Sequence, residues 1–281
     1  MGLKMKPQTL NKLRCIICKH QNLAYAGEII ENTLVSGKLI CPQCNATFPV
    51  INGIPRLIIK NEITKSPEIS VFDKYTERYD SWFTSPKGKV LFQNEVEAIK
   101  ELIRGIEIGE SLEIGVGTGA FAKVLRIFYG VDPAWNSLLL AKRRGVEVVQ
   151  GIAENLPFKD NSFDTVFIIV TICYVKDPIK TLAETNRVLR NHGHVIIGFI
   201  NKDSSWGREY LEKKKKGHIF YGPATFYSHQ EVQRILERTG FKIQKVVSTL
   251  MQNPTEKPIR EKPIAGFRAY AGFITILARK V

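Results

Sequence analysis

The stretch SLEIGVGTGAF, residues 111–121, decides how this chain is read. Leu112 and Ile114 make a short apolar run, glycines follow at alternate positions (Gly115, Gly117, Gly119), and Ala120, Phe121, Val124 and Leu125 then recur at helical spacing. The pattern predicts strand, tight turn and helix. Glycines suit such a turn because they accept positive φ and carry no Cβ, so a ligand can lie on the backbone while the helix N-terminus points at it. A ligand loop is expected, but the ligand stays open here: Gly115-x-Gly117-x-x-Ala120 also satisfies the relaxed dinucleotide fingerprint.

Downstream, Tyr129-Gly130-Val131-Asp132-Pro133 reads as a second strand ending in a carboxylate. Asp132 stands where the next strand end of a βαβ unit sets an acid against ribose hydroxyls. A helix over 136–144 and a strand over 146–150 follow, then a loop over 151–158 and a run over 162–169 that is apolar on both faces, as in a parallel sheet. Asp177-Pro178 supplies a helix cap and first residue, and Gly193 is read as the stop before a strand over 195–199. A helix over 230–239 capped near Ser228 and an antiparallel pair, 241–249 with 271–279, complete the pattern. Alternating strands and helices predict an α/β, doubly wound, mostly parallel sheet. Upstream, Val96, Ile99, Leu102 and Ile103 predict an amphipathic helix over 95–104, and Phe72, Tyr79, Trp82 and Phe83 precede it as an aromatic segment that either caps a ligand or packs the core.

The ordered run EIGVGTG, GVDP, AENLPF, NSFD, Asp177-Pro178, Glu184-x-x-Arg187-Val188-Leu189 and His192-Gly193 resembles the class I S-adenosylmethionine-dependent methyltransferases, particularly the ubiquinone-biosynthesis-like branch, from about Phe72 to Val281. The resemblance implies a seven-stranded Rossmann-like methyltransferase fold with S-adenosylmethionine as cofactor. Carried over, Glu113 and Gly115 face the methionine ammonium, Gly117 and Gly119 admit its backbone, Asp132 holds the ribose hydroxyls, Ala153 and Glu154 flank adenine, and Thr171 lies near the sulfonium. The branch commonly has an acid before the Ala-Glu pair, where this chain has Ile152. Thr171-Ile172-Cys173-Tyr174 stands in place of an Asn-Pro-Pro-aromatic motif, which argues against methylation of an adenine-type amino group.

The N-terminal part rests on cysteine. Cys15-Ile-Ile-Cys18 and Cys41-Pro-Gln-Cys44 are two knuckles separated by 22 residues, and four thiolates in close pairs suit one tetrahedral Zn2+. A disulfide or redox role is the competing reading. Too little apolar material lies between the knuckles for an independent core, so the metal would supply folding free energy. Phe48-Pro49-Val50-Ile51-Asn52-Gly53-Ile54-Pro55-Arg56-Leu57 resembles the segment after the last knuckle of small zinc-ribbon activator subunits of methyltransferases. In that family the ribbon stabilises a catalytic partner. The expected organisation is a zinc ribbon over 1–60, a linker over 61–70 and a methyltransferase domain over 71–281.

The net charge of +14 is uneven: +6 over residues 1–60, −1 over 61–199 and +9 over 200–281. Basic flanks around a neutral ligand region suit an anionic macromolecule, and Lys213 to Lys216 with Trp206, Phe220, Tyr221 and Tyr227 suit RNA. A small-molecule acceptor with a bracing ribbon is the alternative, and a non-catalytic scaffold the third reading. His218 and His229 are candidate bases. No segment has the length of a membrane span and no signal peptide is apparent, so a cytoplasmic protein is expected.

Overall fold

The computed structural model describes residues 4–59 and 67–281. Helix α1 (Pro7–Lys12) precedes an antiparallel sheet of β1 (Ala24–Ile30), β2 (Thr33–Ile40), β3 (Thr47–Ile51) and β4 (Ile54–Pro55), in that spatial order. The expected linker, residues 61–70, lies outside the described residues as far as residue 66. Pro67 already opens α2 (Pro67–Lys74).

Then follow α3 (Thr76–Trp82), α4 (Pro86–Leu102), β5 (Ser111–Ile114), α5 (Ala120–Leu125), β6 (Tyr129–Asp132), α6 (Trp135–Arg143), β7 (Glu147–Gln150), β8 (Phe163–Ile169), α7 (Pro178–Val188) and β9 (Leu189–Ile200). The chain closes with α8 (Ser205–Lys215), α9 (His229–Arg238), β10 (Phe241–Thr249), β11 (Ile264–Ala265) and β12 (Phe273–Lys280). The spatial order is β11-β10-β12-β9-β8-β5-β6-β7. Neighbours from β9 to β7 run parallel, and β12, β10 and β11 are added antiparallel. This is the doubly wound, mostly parallel sheet expected, with two-residue β11 as an eighth strand.

Local chemistry explains the helix ends. Asp177 accepts from the Lys180 amide at 2.9 Å, and Ser228 with Glu231 form a reciprocal capping box. Helix α4 begins nine residues before the expected start. Ser85 caps it, accepting from the Gly88 amide at 3.1 Å, and Pro86 supplies a first residue with preset φ. Gly193 does not stop a helix. Helix α7 passes directly into β9, and Gly193 sits inside that strand, where a Cβ would press on the Asp164 carbonyl.

The ribbon has no separate core, as its composition predicts. Leu13, Leu39, Phe48 and Leu57 join Leu156, Phe158 and Phe163 in one buried cluster beneath the large sheet. Its backbone also covers the sheet's outer strand: Arg56 pairs in parallel with Gln150 of β7, and the Leu57 amide donates to the Gln150 carbonyl at 2.9 Å. An uncovered edge would leave unpaired backbone groups, and here the ribbon satisfies them. Buried Glu147 completes the seam, accepting from Lys142 Nζ at 2.9 Å and Thr9 Oγ1 at 3.0 Å.

Candidate functional site

The chain runs outward from β5 to β6 and β7, then returns to the other side of β5 as β8. The loops after β5 and β8 therefore part, opening a crevice at the carboxyl ends of the strands, which is where open α/β sheets bind ligands. A cavity of about 380 Å³ occupies this crevice. Its wall includes Glu113, Gly115, Gly117, Asp132, Ala153, Glu154 and Thr171, seven of the eight cofactor residues expected from sequence.

The turn itself depends on positive φ: +70° at Gly115, +50° at Gly117 and +77° at Gly119. The three glycines serve different ends. At Gly115 a Cβ would collide with the Thr171 side chain, whose hydroxyl donates to the Ile169 carbonyl at 2.9 Å. At Gly117 a Cβ would enter open space, with Tyr79 Cε1 its nearest neighbour at 3.9 Å, so this is where backbone is exposed to a ligand. Gly119, absent from the cavity wall, packs against Ala141 of α6 and lets the start of α5 approach that helix.

Two carboxyls lie beneath the loop. Asp132 accepts from the Gly117 amide and the Ala134 amide, each at 2.8 Å, which fixes the loop on the end of β6. Burial pushes its carboxyl up to about 6 against the pull of those amides. Glu113 is 2% exposed and its Oε2 has no hydrogen-bond partner. Burial, then the neighbouring Asp132 charge, hold Glu113 well above the usual carboxylate range. An orphaned buried carboxyl facing a cavity is expensive unless a donor or cation arrives from the ligand. The donor set thus fits a ligand with an ammonium and vicinal hydroxyls.

Glu154 lines the cavity, but its Oε1 is taken by the Lys176 amide at 2.7 Å and the Asp177 amide at 3.3 Å. It braces the loop after β8. Ile152 lies on the same wall.

A second cavity of about 320 Å³ adjoins the first, and Tyr79, Phe83, Phe121, Val170 and Tyr174 line both. The aromatic entry segment is thus the partition between two chambers. The Tyr79 ring packs edge-on to Phe72 at 5.1 Å and Phe83 at 5.3 Å between centroids. The far wall stacks Tyr210 on Tyr221 and Tyr221 on His218, each pair at 4.4 Å. Val170 has φ +50°, strained for a β-branched residue, and sits where the chain turns from β8 between the chambers. Sequence reasoning missed Val170 and Glu95, the latter a carboxyl on α4 inside the second cavity. Of the two candidate bases, His218 lines that cavity while His229 stacks on Phe267 at 4.2 Å away from both. Cys173 is buried there, its thiol pushed up to about 12, which makes it a poor nucleophile.

In the ribbon, the Sγ atoms of Cys15, Cys18, Cys41 and Cys44 all lie within 4.8 Å of one another, with Cys15–Cys44 at 3.7 Å and Cys18–Cys41 at 3.5 Å. Zn–S bonds of about 2.3 Å in a tetrahedron place sulfurs roughly 3.8 Å apart, so the cluster fits zinc. All four cysteines are free thiols, which sets aside the disulfide reading.

Comparisons with known proteins agree with this geometry. A methyltransferase domain family matches residues 112–197, and a Trm112p-like protein family matches residues 6–53. An uncharacterised protein of Methanocaldococcus jannaschii is 39% identical over 213 residues, 76% of this chain and 100% of that protein. The crystal structure of an S-adenosylmethionine-dependent methyltransferase from Thermotoga maritima, described as a possible histamine N-methyltransferase, aligns with TM-score 0.70 and 37% identity, covering 76% of this chain and 100% of its own. A chain from the complex between the Haloferax volcanii Trm112 methyltransferase activator and a methyltransferase shares the fold at TM-score 0.51 and 16% identity, covering 72% of this chain and 96% of its own. The glycine turn, the paired carboxyls and these likenesses together establish that the chain belongs to the S-adenosylmethionine-dependent methyltransferases, with a Trm112p-like zinc-ribbon domain on the same polypeptide.

Proposed function

We propose that the enzyme binds S-adenosylmethionine in the cavity under the glycine turn and methylates a small molecule held in the adjoining aromatic cavity. The observation that carries this reading is the shared wall. Two chambers meeting at Tyr79, Phe83, Phe121, Val170 and Tyr174 bring donor and acceptor together, and about 320 Å³ suits one compact, ring-bearing molecule.

When bound, S-adenosylmethionine supplies a methyl group on a positively charged sulfur. Glu113 takes the methionine ammonium, with the Gly115 to Gly117 backbone alongside. Asp132 takes the ribose hydroxyls, Ala153 and Ile152 pack on adenine, and Thr171 shapes the wall nearest the reacting atoms. Glu154 acts one step back, by holding the loop after β8 through its backbone amides. The aromatic partition excludes water and aligns the acceptor, which is most of what transfer from an activated carbon requires. Residues 71–281 carry the reaction. Residues 1–60 brace it, with zinc held by Cys15, Cys18, Cys41 and Cys44. Four cysteines gathered as metal ligands and not paired in disulfides fit a reducing compartment, the cytoplasm. Among the described residues no helix is long and apolar enough to cross a membrane.

The expectation of an RNA acceptor rested on basic flanks, and several of those side chains have partners within the chain. Lys213 pairs with Glu209, Lys214 donates to the Ala224 carbonyl and Lys215 pairs with Glu212. From the ribbon, Lys12 pairs with Glu110, Arg14 with Glu184, and Arg56 Nε donates to Gln150 Oε1 at 2.6 Å. Several of the ribbon's basic side chains thus join it to the catalytic domain.

Incubating cell extract with the enzyme and methyl-labelled cofactor, then separating RNA, protein and small molecules, tests the reading. Label in the small-molecule fraction, with little salt dependence, is expected. Label in RNA that falls steeply with salt would overturn it.

A further inference from the structure

The second cavity contains a carboxyl that cofactor binding and the aromatic partition leave unused. Glu95 lies on the inner face of α4, 5% exposed, and has no hydrogen-bond partner among the described residues. Around it stand rings: Tyr79 from α3, Tyr210 from α8, and Tyr221 from the segment after α8, all close enough for its charge to act on their hydroxyls. Helix α4 needs no carboxyl there. Leu91, Ala98, Ile99 and Leu102 share its buried side, and an apolar residue would pack without leaving an acid unpaired.

Resting on the small-molecule reading above, we infer that the acceptor is an amine, protonated in solution, whose ammonium is bound inside the aromatic cage by Glu95. A buried carboxyl among aromatic rings suits a cation: the charge pairs with Glu95, and the rings of this wall already attract cations, with Lys213 over Tyr210 at 5.4 Å and Lys87 over Trp206 at 5.6 Å. Without a cation, burial pushes the Glu95 carboxyl up to about 8, so near neutral pH it holds a proton that an incoming ammonium displaces. Once the amine is seated, Glu95 is also placed to receive the proton its nitrogen must lose. The N–H bond breaks, the electron pair stays on nitrogen, and the proton passes to the carboxylate oxygen.

The other titratable groups on the wall do not satisfy Glu95. Arg78 and Lys87 are exposed at the rim, and Lys87 donates to the Pro254 carbonyl at 2.8 Å. Lys213 pairs with Glu209, and His218 is held toward its neutral form by burial, Lys213 and Arg78. Cys173 keeps its proton. The interior of the cage is acidic and its rim basic, which favours a cationic head inside.

The test is calorimetric titration of the full chain at pH 7, in two buffers of different ionisation enthalpy, with three probes of matched shape: phenethylamine, 2-phenylethanol and 3-phenylpropionate. Phenethylamine is expected to bind at least about tenfold more tightly than the alcohol. It should release close to one proton per molecule bound, while the alcohol releases none. In Glu95→Gln the amine should fall to the alcohol's affinity, with the alcohol unchanged. The proton count on the unaltered chain needs no variant, so a folding defect in Glu95→Gln leaves the test intact. No amine binding, equal or tighter binding of alcohol or propionate, or amine binding without proton release would overturn the inference. Tight amine binding together with labelled RNA in the fractionation removes the small-molecule reading but leaves a cation site. Alcohol-tight binding with labelled small molecules does the reverse.

Discussion

Replacing Glu113 by Gln separates the chemistry of the cofactor cavity from the stability of the fold. Glu113 is 2% exposed, faces the cavity and leaves Oε2 unpaired, and its carboxyl is held well above the usual range by burial and by Asp132. A group whose folded value is raised binds more protons in the native than in the unfolded state. Its contribution to stability is therefore present below the unfolded value of about 4.3 and is lost as pH rises through the folded one. Burial and Asp132 hold the ligand-free carboxyl toward its neutral form, and Gln is a neutral isostere, so Glu113→Gln should fold with little change in melting temperature. Cofactor binding should suffer instead. A charge-assisted hydrogen bond contributes about 1.5–3 kcal/mol, or roughly ten- to a hundredfold in Kd. Calorimetry in two buffers reads both parts: the unaltered chain should release protons as the methionine ammonium favours ionised Glu113, and the variant should lose that release. Equal affinity with equal proton release in both proteins would refute the reasoning, as would a variant that fails to fold at pH 7.

Further outcomes follow from other contacts. Gly115→Ala should destabilise the protein strongly because its Cβ meets Thr171 at positive φ, with partial rescue by Thr171→Gly, whereas Gly117→Ala should cost only about 1–2 kcal/mol of stability yet weaken cofactor binding; paired melts and titrations distinguish the two. Cofactor affinity should fall as pH drops through about 6, where Asp132 gains a proton and ceases to accept from ribose hydroxyls, and a series of Kd values across pH 5 to 8 checks this. Phe158→Ala, at the junction of ribbon and sheet, should cost about 3–5 kcal/mol and leave no separate ribbon transition in calorimetric melting, because both parts share one core. Purified protein should contain one zinc per chain by metal analysis, and Cys41→Ser or chelation should lower the melting temperature of the whole chain.

Much of the proposed cofactor cavity was legible in the sequence because its parts are local. A strand, a glycine turn and a helix N-terminus occupy eleven consecutive residues, and Asp132 follows at the next strand end. The two Cys-x-x-Cys knuckles are equally local, since two intervening residues bring both sulfurs to one side. Helix caps at Asp177-Pro178 and Ser228 are local too, and they appear as read, with Glu231 completing a capping box at Ser228. Gly193 misled because a glycine after a helical stripe carries the same signal whether it stops the helix or passes a strand close to the Asp164 backbone.

The rest needed the folded chain. Periodicity on α4 shows that one face is inward, but only packing against α3, α8 and the loop after β8 shows that Glu95 meets a cavity there rather than a partner. The carry-over of Glu154 to adenine rested on its place in a motif, and only the fold shows that its Oε1 also accepts from amides more than twenty residues away. The basic flanks read as one surface for an anion because charge can be counted in a sequence and its partners cannot. Arg14, Lys12 and Arg56 meet Glu184, Glu110 and Gln150 only when the ribbon closes over β7. Sequence by itself determined the fold class and the methyltransferase family, because strand, turn and helix signals are short-range and the motifs that carry the resemblance are local, and it brought four cysteines forward as one candidate metal set. Tertiary structure alone decided what faces the acceptor, because that wall is assembled from segments distant in the chain and chemically ordinary one at a time.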